Sequence, residues 1–187
     1  KYGPEMDIGI RGESFGAGLA VIAAAQIAQH DAVFRLALGL PTLGHWGWRL
    51  DHRTTAGAGA EVGAYIRANE GRRASVLESL RLFDTAIHAR RIRCPVLCKL
   101  AVRDDVVPAP TAASVFNALS TDPGLKWRYV TGYGHFDGGI ANVRRHALFE
   151  RLVADFLDPA TDLASFHERW GEALRASQPD DDDPESA

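Results

Sequence analysis

Asp7-Ile8-Gly9-Ile10-Arg11-Gly12-Glu13-Ser14-Phe15-Gly16 is the stretch from which the fold can be read. From Asp7 to Arg11 polar and apolar positions alternate, which is the pattern of a half-buried strand. The strand runs straight into Gly12-Glu13-Ser14-Phe15-Gly16, a Gly-x-Ser-x-Gly sequence suited to a tight strand-to-helix turn. From Gly18 to Ala28 almost every residue is small or aliphatic, as expected of a helix packed closely on a sheet. Phe34 to Leu40 then reads as a second buried strand. Strand, turn, helix and strand in this order predict an α/β architecture.

Further along the chain, Pro41 to Gly59 carries Trp46, Trp48 and several glycines without periodicity and is predicted to be a long loop or insertion. Loops of this kind shape binding pockets, which makes His45 and Trp46 candidate pocket residues, with core packing as the competing role. Glu61 to Asn69 and Ser75 to Phe83 are predicted helices. Val76, Leu77, Leu80 and Phe83 fall at helical spacing in the second and are assigned to packing. Pro95 to Val102 is a near-continuous apolar run that suits a central parallel strand, with Asp104 just past its end. Thr111 to Leu119 reads as a helix. Lys126 to Thr131 reads as a strand that delivers Gly132-Tyr133-Gly134-His135. Val143 to Leu157 and Leu163 to Ala173 close the sequence as helices. The expected fold is a mostly parallel sheet with helices on both faces, so that ligands gather at the carboxyl ends of the strands. Residues 1–176 are expected to form one domain, and 177–187, with Asp180 to Asp183, an acidic disordered tail.

The chain has 187 residues, enough for one core, and its 46% hydrophobic and 24% charged residues are those of a soluble globular domain. A net charge of -3 argues against a nucleic-acid surface, and the short basic run from His88 to Arg93 is read as a solvated helix end. No stretch approaches the ~20 apolar residues of a membrane span. Lys1-Tyr2-Gly3-Pro4 lacks an initiator Met and a signal pattern, so the chain is expected to begin in mid-protein. Cys94 and Cys98 are placed in one strand, about 13 Å apart on one face, too far to bridge. The expectation is therefore no disulfide and a cytoplasmic location. No group of His, Cys and carboxylates has zinc spacing, and neither metal nor cofactor is expected.

Ser14, Asp104 and His135 each fall at a predicted strand end, in the chain order Ser, Asp, His used by α/β-hydrolases. A serine hydroxyl needs a base to take its proton as it attacks, a role suited to the imidazole of His135. A carboxylate on the other ring nitrogen, from Asp104, would orient the ring and stabilise the imidazolium. Asp105 competes for this place. The N–H of Phe15, opening the following helix, is expected to donate one oxyanion hydrogen bond. In this fold the second donor comes from a loop after an earlier strand, so the N-terminal strands are expected to be missing from this chain. Gly12 and Gly16 are expected to be obligatory because bulkier residues would clash in the turn. His30, His52, His88, His146 and His167 are read as solvated surface residues.

From Ser75 onward the sequence resembles the acetyl xylan esterase and cephalosporin C deacetylase family. The resemblance is carried by Ser79-Leu80-Arg81-Leu82-Phe83-Asp84, by Ala89-Arg90-Arg91-Ile92-Arg93-Cys94-Pro95-Val96-Leu97, by Asp104 to Thr111 and by Tyr133-Gly134-His135-Phe136-Asp137-Gly138-Gly139. It covers most of Asp7 to Leu157 and puts the nucleophile on Ser14, the acid on Asp104 rather than Asp105, and the base on His135. It implies a serine esterase acting on small carboxylic esters, acetyl esters foremost, through an acyl-enzyme, and ring-like homo-oligomers. Two positions depart from the family pattern. Phe15 stands where the family usually has Gln, and Phe136-Asp137 where a Glu normally follows the histidine. The alternatives are a non-catalytic or partner-dependent half that needs a complementary N-terminal segment or chain, and a related serine peptidase.

Overall fold

Val96-Leu97-Cys98-Lys99-Leu100-Ala101 is buried at every position and forms an interior strand of a four-stranded parallel sheet. The structure, a computed structural model, describes residues 8–27, 33–52 and 54–176. Asp7, Ala28, His30, the N-terminal residues and the acidic tail lie outside the described residues, and so do the expectations that fall on them. The strands are β1 (Ile8–Glu13), β2 (Val33–Gly39), β3 (Val96–Ala101) and β4 (Lys126–Thr131), adjacent in the order β1-β2-β3-β4. Gly12 pairs with Leu38 and Glu13 with Gly39, while Gly39 pairs with Lys99 and Ala101 with Thr131, so the four carboxyl ends come out side by side.

Alternation along the strands sorts side chains onto two faces. Leu36, Leu38, Val96, Cys98 and Leu100 pack against α1 (Phe15–Ile27), α5 (Thr85–Ala89) and α6 (Ala109–Ala118). Ala37, Leu97, Trp127 and Tyr129 pack against α7 (Gly139–Leu157) and α8 (Leu163–Ala176). The small residues of α1 permit close approach to the chain after β2: a Cβ on Gly18 would lie 2.9 Å from the carbonyl oxygen of Thr42. Both predicted faces of the sheet are thus covered, and among the described residues no helix is long and apolar enough to cross a membrane.

Two charged residues sit inside these apolar strands. Arg35 in β2 is buried, and its guanidinium donates to the carbonyl oxygens of Phe156 at 2.6 Å, Asp158 at 3.0 Å and Thr161 at 2.5 Å. It therefore serves a carbonyl that the last turn of α7 leaves without a helical partner and two more in the chain that follows the helix. Lys99 in β3 is the other, and it belongs to the surroundings of the candidate site.

Three expectations change. Pro41 to Gly59 is not one loop, since it contains α2 (Trp46–Asp51) and the start of α3 (Gly57–Ala68); these pieces are too short, and too rich in Gly and Trp, to show a period. Ser75 to Phe83 is α4 (Arg73–Leu80) followed by a 3-10 turn (Arg81–Phe83), and it buries nothing fully. Val76, Leu77 and Leu80 are half-buried and Phe83 is exposed, because helical spacing gathers an apolar stripe without determining what covers it. Cys94 precedes β3 instead of lying in it, and both cysteines are free.

Replacing Arg35 with Met removes three hydrogen bonds at the end of α7. The Arg35→Met variant is expected to lose about 2–4 kcal/mol in urea unfolding; a loss below the error of the measurement would show that water replaces the guanidinium without cost.

Candidate active site

Between β1 and α1 the chain turns within a single residue. Ser14 has φ 52, in the left-handed region where non-glycine residues are strained. Its N–H donates to the Gly39 carbonyl at 2.7 Å, and its own carbonyl accepts from the N–H groups of Ala17 at 3.0 Å and Gly18 at 3.2 Å. A Cβ on Gly12 would lie 2.3 Å from the Gly16 carbonyl oxygen and 2.7 Å from the Ala17 Cα. Both obstacles are backbone, which cannot give way, so glycine is required. Gly16 is different. A Cβ there meets nothing within 4 Å, so the expected clash at Gly16 does not occur. Phe15 opens α1, and its N–H is one of the first four that a helix leaves without an internal acceptor.

The turn brings Ser14 Oγ to 3.1 Å from His135 Nε2. His135 Nδ1 lies 2.8 Å from Asp104 Oδ2, with the two side chains 8% and 0% exposed. The other oxygen, Oδ1, accepts from the N–H groups of Val106 at 2.9 Å and Val107 at 2.7 Å. The carboxylate is thus held by the turn that follows β3 while it faces the imidazole. Asp105 is turned away: it is exposed, and its Oδ2 accepts from Thr55 Oγ1 at 2.8 Å. Three side chains far apart in sequence therefore converge, as parallel strands in register require.

The histidine loop is shaped by Asp137. Its carboxylate accepts from the Gly134 N–H, and its carbonyl accepts from Asn142 Nδ2 at 2.6 Å. Gly138 follows at φ 85 against the Tyr133 ring, a conformation that favours glycine. Phe136 is 84% exposed and packs edge-on against the His135 ring, with centroids 4.6 Å apart.

A cavity of about 290 Å3 beside Ser14 is lined by Phe15, Thr42, Arg49, Glu61 and Val106, among others. A second, of about 480 Å3, lies against His135 and includes Lys99, Phe136, Val143 and His146. His45 and Trp46 line neither. The exposed His45 caps α2, where its Nδ1 accepts from the Trp48 N–H at 3.3 Å, and Trp46 is buried beneath the Arg49 guanidinium. The buried Asp84 carboxylate holds this corner, accepting from the N–H groups of His45, Trp46 and Ala86.

Sequence reasoning passed over two cations. Lys99 Nζ bonds Glu13 Oε1 at 2.7 Å and donates to His146 Nδ1 at 3.2 Å, beneath the elbow. The signal was available, namely a lysine inside an otherwise apolar strand. Arg49, 1% exposed, gave no such signal because its helix was not recognised. His52, His88, His146 and His167, read as solvated, each have a hydrogen-bond partner within the chain. Among the described residues no three His, Cys, Asp or Glu side chains converge as metal ligands.

A parallel sheet covered on both faces, with Ser, His and Asp meeting at its strand ends, defines an α/β-hydrolase. The acetyl xylan esterase (AXE1) family model matches residues 4–160, and the chain belongs to that family. Among solved structures it is similar to an acetyl xylan esterase from Thermoanaerobacterium sp. JW/SL YS485, with 26% identity and a TM-score of 0.61 over 78% of this chain and 46% of that one. An acetyl xylan esterase from Paenibacillus sp. R4 aligns at 23% identity and the same TM-score over 77% and 45%. Pyrococcus horikoshii acylaminoacyl peptidase aligns at 17% and 0.57 over 87% and 26%. The last two likenesses speak to the fold alone. The chain thus spans less than half the length of these solved structures. Curated proteins yield no match.

The Gly12→Ala variant is expected to lose about 3 kcal/mol or more, since neither atom it meets can move independently. A thermal melt unchanged from wild type would mean that the elbow has another way to form.

Proposed function

We propose that this chain carries the nucleophile, base and acid of a serine esterase that acts on small carboxylic esters, acetyl esters foremost. The observation that carries the reading is the hydrogen-bonded sequence Ser14 Oγ, His135 Nε2 at 3.1 Å, His135 Nδ1 and Asp104 Oδ2 at 2.8 Å. Membership of the acetyl xylan esterase family supports it. Ser14 Oγ attacks the ester carbonyl as His135 Nε2 takes its proton, and the negative charge that develops on the carbonyl oxygen is met by the Phe15 N–H. The tetrahedral intermediate collapses as His135 returns the proton to the departing alcohol, which leaves an ester on Ser14. Water, deprotonated by the same imidazole, attacks that ester, and as the second tetrahedral intermediate collapses His135 returns the proton to Ser14 Oγ and the acid is released, while the Asp104 carboxylate holds the ring. The chemistry needs no cofactor.

The small cavity beside Ser14 fits a short acyl group. An oxyanion hole needs a second donor, and β1 pairs only with β2 among the described residues, which leaves an open edge. We therefore take residues 1–176 as the C-terminal part of one hydrolase domain, completed by a complementary segment or chain against β1. A homo-oligomer and a cytoplasmic location belong to the same reading; the free cysteines fit a reducing compartment.

A fluorophosphonate probe is expected to label the wild-type protein and not Ser14→Ala; equal labelling of both would sink the assignment. The acid is tested separately. Asp104→Asn is expected to lower kcat on an acetyl ester by about 10⁴-fold, while Asp105→Asn, altered only at the surface, stays within about threefold of wild type. The reverse order of effects would move the acid to Asp105. Faster turnover of long-chain than of acetyl esters would contradict the acyl preference.

A further inference from the structure

Arg49 is 1% exposed, and none of the ion pairs among the described residues includes it. Its Nη1 donates to Thr42 Oγ1 at 3.0 Å, and its Nη2 donates to the Val106 carbonyl oxygen at 2.7 Å. That carbonyl and the N–H of Val107 belong to one peptide group, and this N–H donates to Asp104 Oδ1 at 2.7 Å. The other carboxylate oxygen faces His135 Nδ1 at 2.8 Å, and His135 Nε2 faces Ser14 Oγ at 3.1 Å. A buried cation therefore reaches the nucleophile through one peptide group, one carboxylate and one imidazole, each joined to the next by a hydrogen bond.

A peptide whose oxygen is held by a cation is a stronger donor at its nitrogen, and a charge away from water is poorly screened. Burial pulls the Arg49 guanidinium down from its ordinary value, and the charge of Asp104 pushes it back up.

We propose that Arg49 is a positioning residue for the acid. Through the Val106–Val107 peptide it holds the Asp104 carboxylate turned toward His135, and its positive charge opposes a second positive charge on the imidazole. The proposal rests on the esterase reading above. A neutral imidazole is the form that can accept the Ser14 proton, so Arg49 extends activity toward lower pH. Other charged and titratable groups face the same side chains: Glu61 of α3 lines the cavity that Arg49 shares with Ser14, Asp51, His52 and Arg67 line a further cavity against Arg49, and Glu13, Lys99 and His146 line the cavity against His135. Arg103, Asp105 and Asp137 lie at the outer side of the His135 loop. None of these residues is altered in the variants below, so a change between variants reports on Arg49.

The test uses the full-length protein and an acetyl ester, with kcat/KM measured against pH for wild type, Arg49→Gln and Arg49→Lys. Arg49→Gln keeps a donor without the charge and is expected to move the midpoint of the acidic limb upward by roughly one pH unit. Its deficit should therefore be larger at low pH than on the alkaline plateau. Arg49→Lys keeps the charge and is expected to hold the midpoint near that of wild type. A loss equal at every pH, with no change of midpoint, would overturn the proposal and leave Arg49 as packing. Should the variants not fold, NMR on the wild type decides: the Val107 amide and the Arg49 guanidinium resonances are expected to shift together with the His135 ring resonances as pH is varied, and a guanidinium indifferent to the ring refutes the relay. Absence of Ser14-dependent labelling would instead refute the esterase reading, and the NMR titration would still judge the relay.

Discussion

The missing side chain of Gly12 governs the geometry of this protein. Where its Cβ would stand, the Gly16 carbonyl passes at 2.3 Å, and only this close approach lets the chain reverse within one residue from β1 into α1. Ser14 is thereby forced to φ 52 and is held there by its N–H on the Gly39 carbonyl. The strain is borne by a turn fixed on both sides, since β1 is paired with β2 and α1 is buried along its inner face. A slack turn would let the serine relax and lose its bearing on His135. Because the strands are parallel and in register, the ends of β3 and β4 lie beside this turn, and the loops after them bring Asp104 and His135 within hydrogen-bond reach.

Around this turn the interior is unusually rich in charge. Lys99 reaches across from β3 to the Glu13 carboxylate at the end of β1, and that carboxylate lies over Gly39 of β2, where a Cβ would come within 1.5 Å of its oxygen. Three strands are thus tied directly beneath the serine by one ion pair and one absent methyl group. Arg35 lies on the same face and satisfies the carbonyls at the end of α7, while Arg49 approaches from α2. Burying a charge is tolerable only when it is paired or well hydrogen-bonded; Arg35 and Lys99 meet that condition, while Arg49 is bonded through both terminal nitrogens and its Nε has no partner among the described residues. Their shared effect is rigidity at the strand ends, where the candidate chemistry is placed.

Much of this was legible before any coordinates. All four strands were placed within a residue or two, because buried parallel strands are continuous apolar runs bounded by breakers. The elbow, its serine, and an acid and a histidine at later strand ends followed from motif and chain order. Arg49 was not legible. Its helix has six residues, two of them tryptophan and one glycine, and a segment shorter than two turns shows no period. Phe83, assigned to packing, is exposed for the complementary reason, since an apolar pattern records what could be buried and not what is. Gly16 belongs with it: the motif calls for glycine, but the space around its Cα is open.

The local and periodic features were determined by the sequence alone: the parallel sheet, the turn at Ser14, and the residue types able to carry acyl transfer. These depend on neighbours a few positions apart, which a linear reading contains. Residue type and spacing left Asp104 and Asp105 open, and the family resemblance favoured Asp104; only the tertiary structure gave the physical reason, since the turn after β3 directs Asp104 inward to His135 and Asp105 toward Thr55. Only the tertiary structure, likewise, joined Arg49 to Asp104 across 55 positions of sequence, through a peptide group whose role no residue type announces.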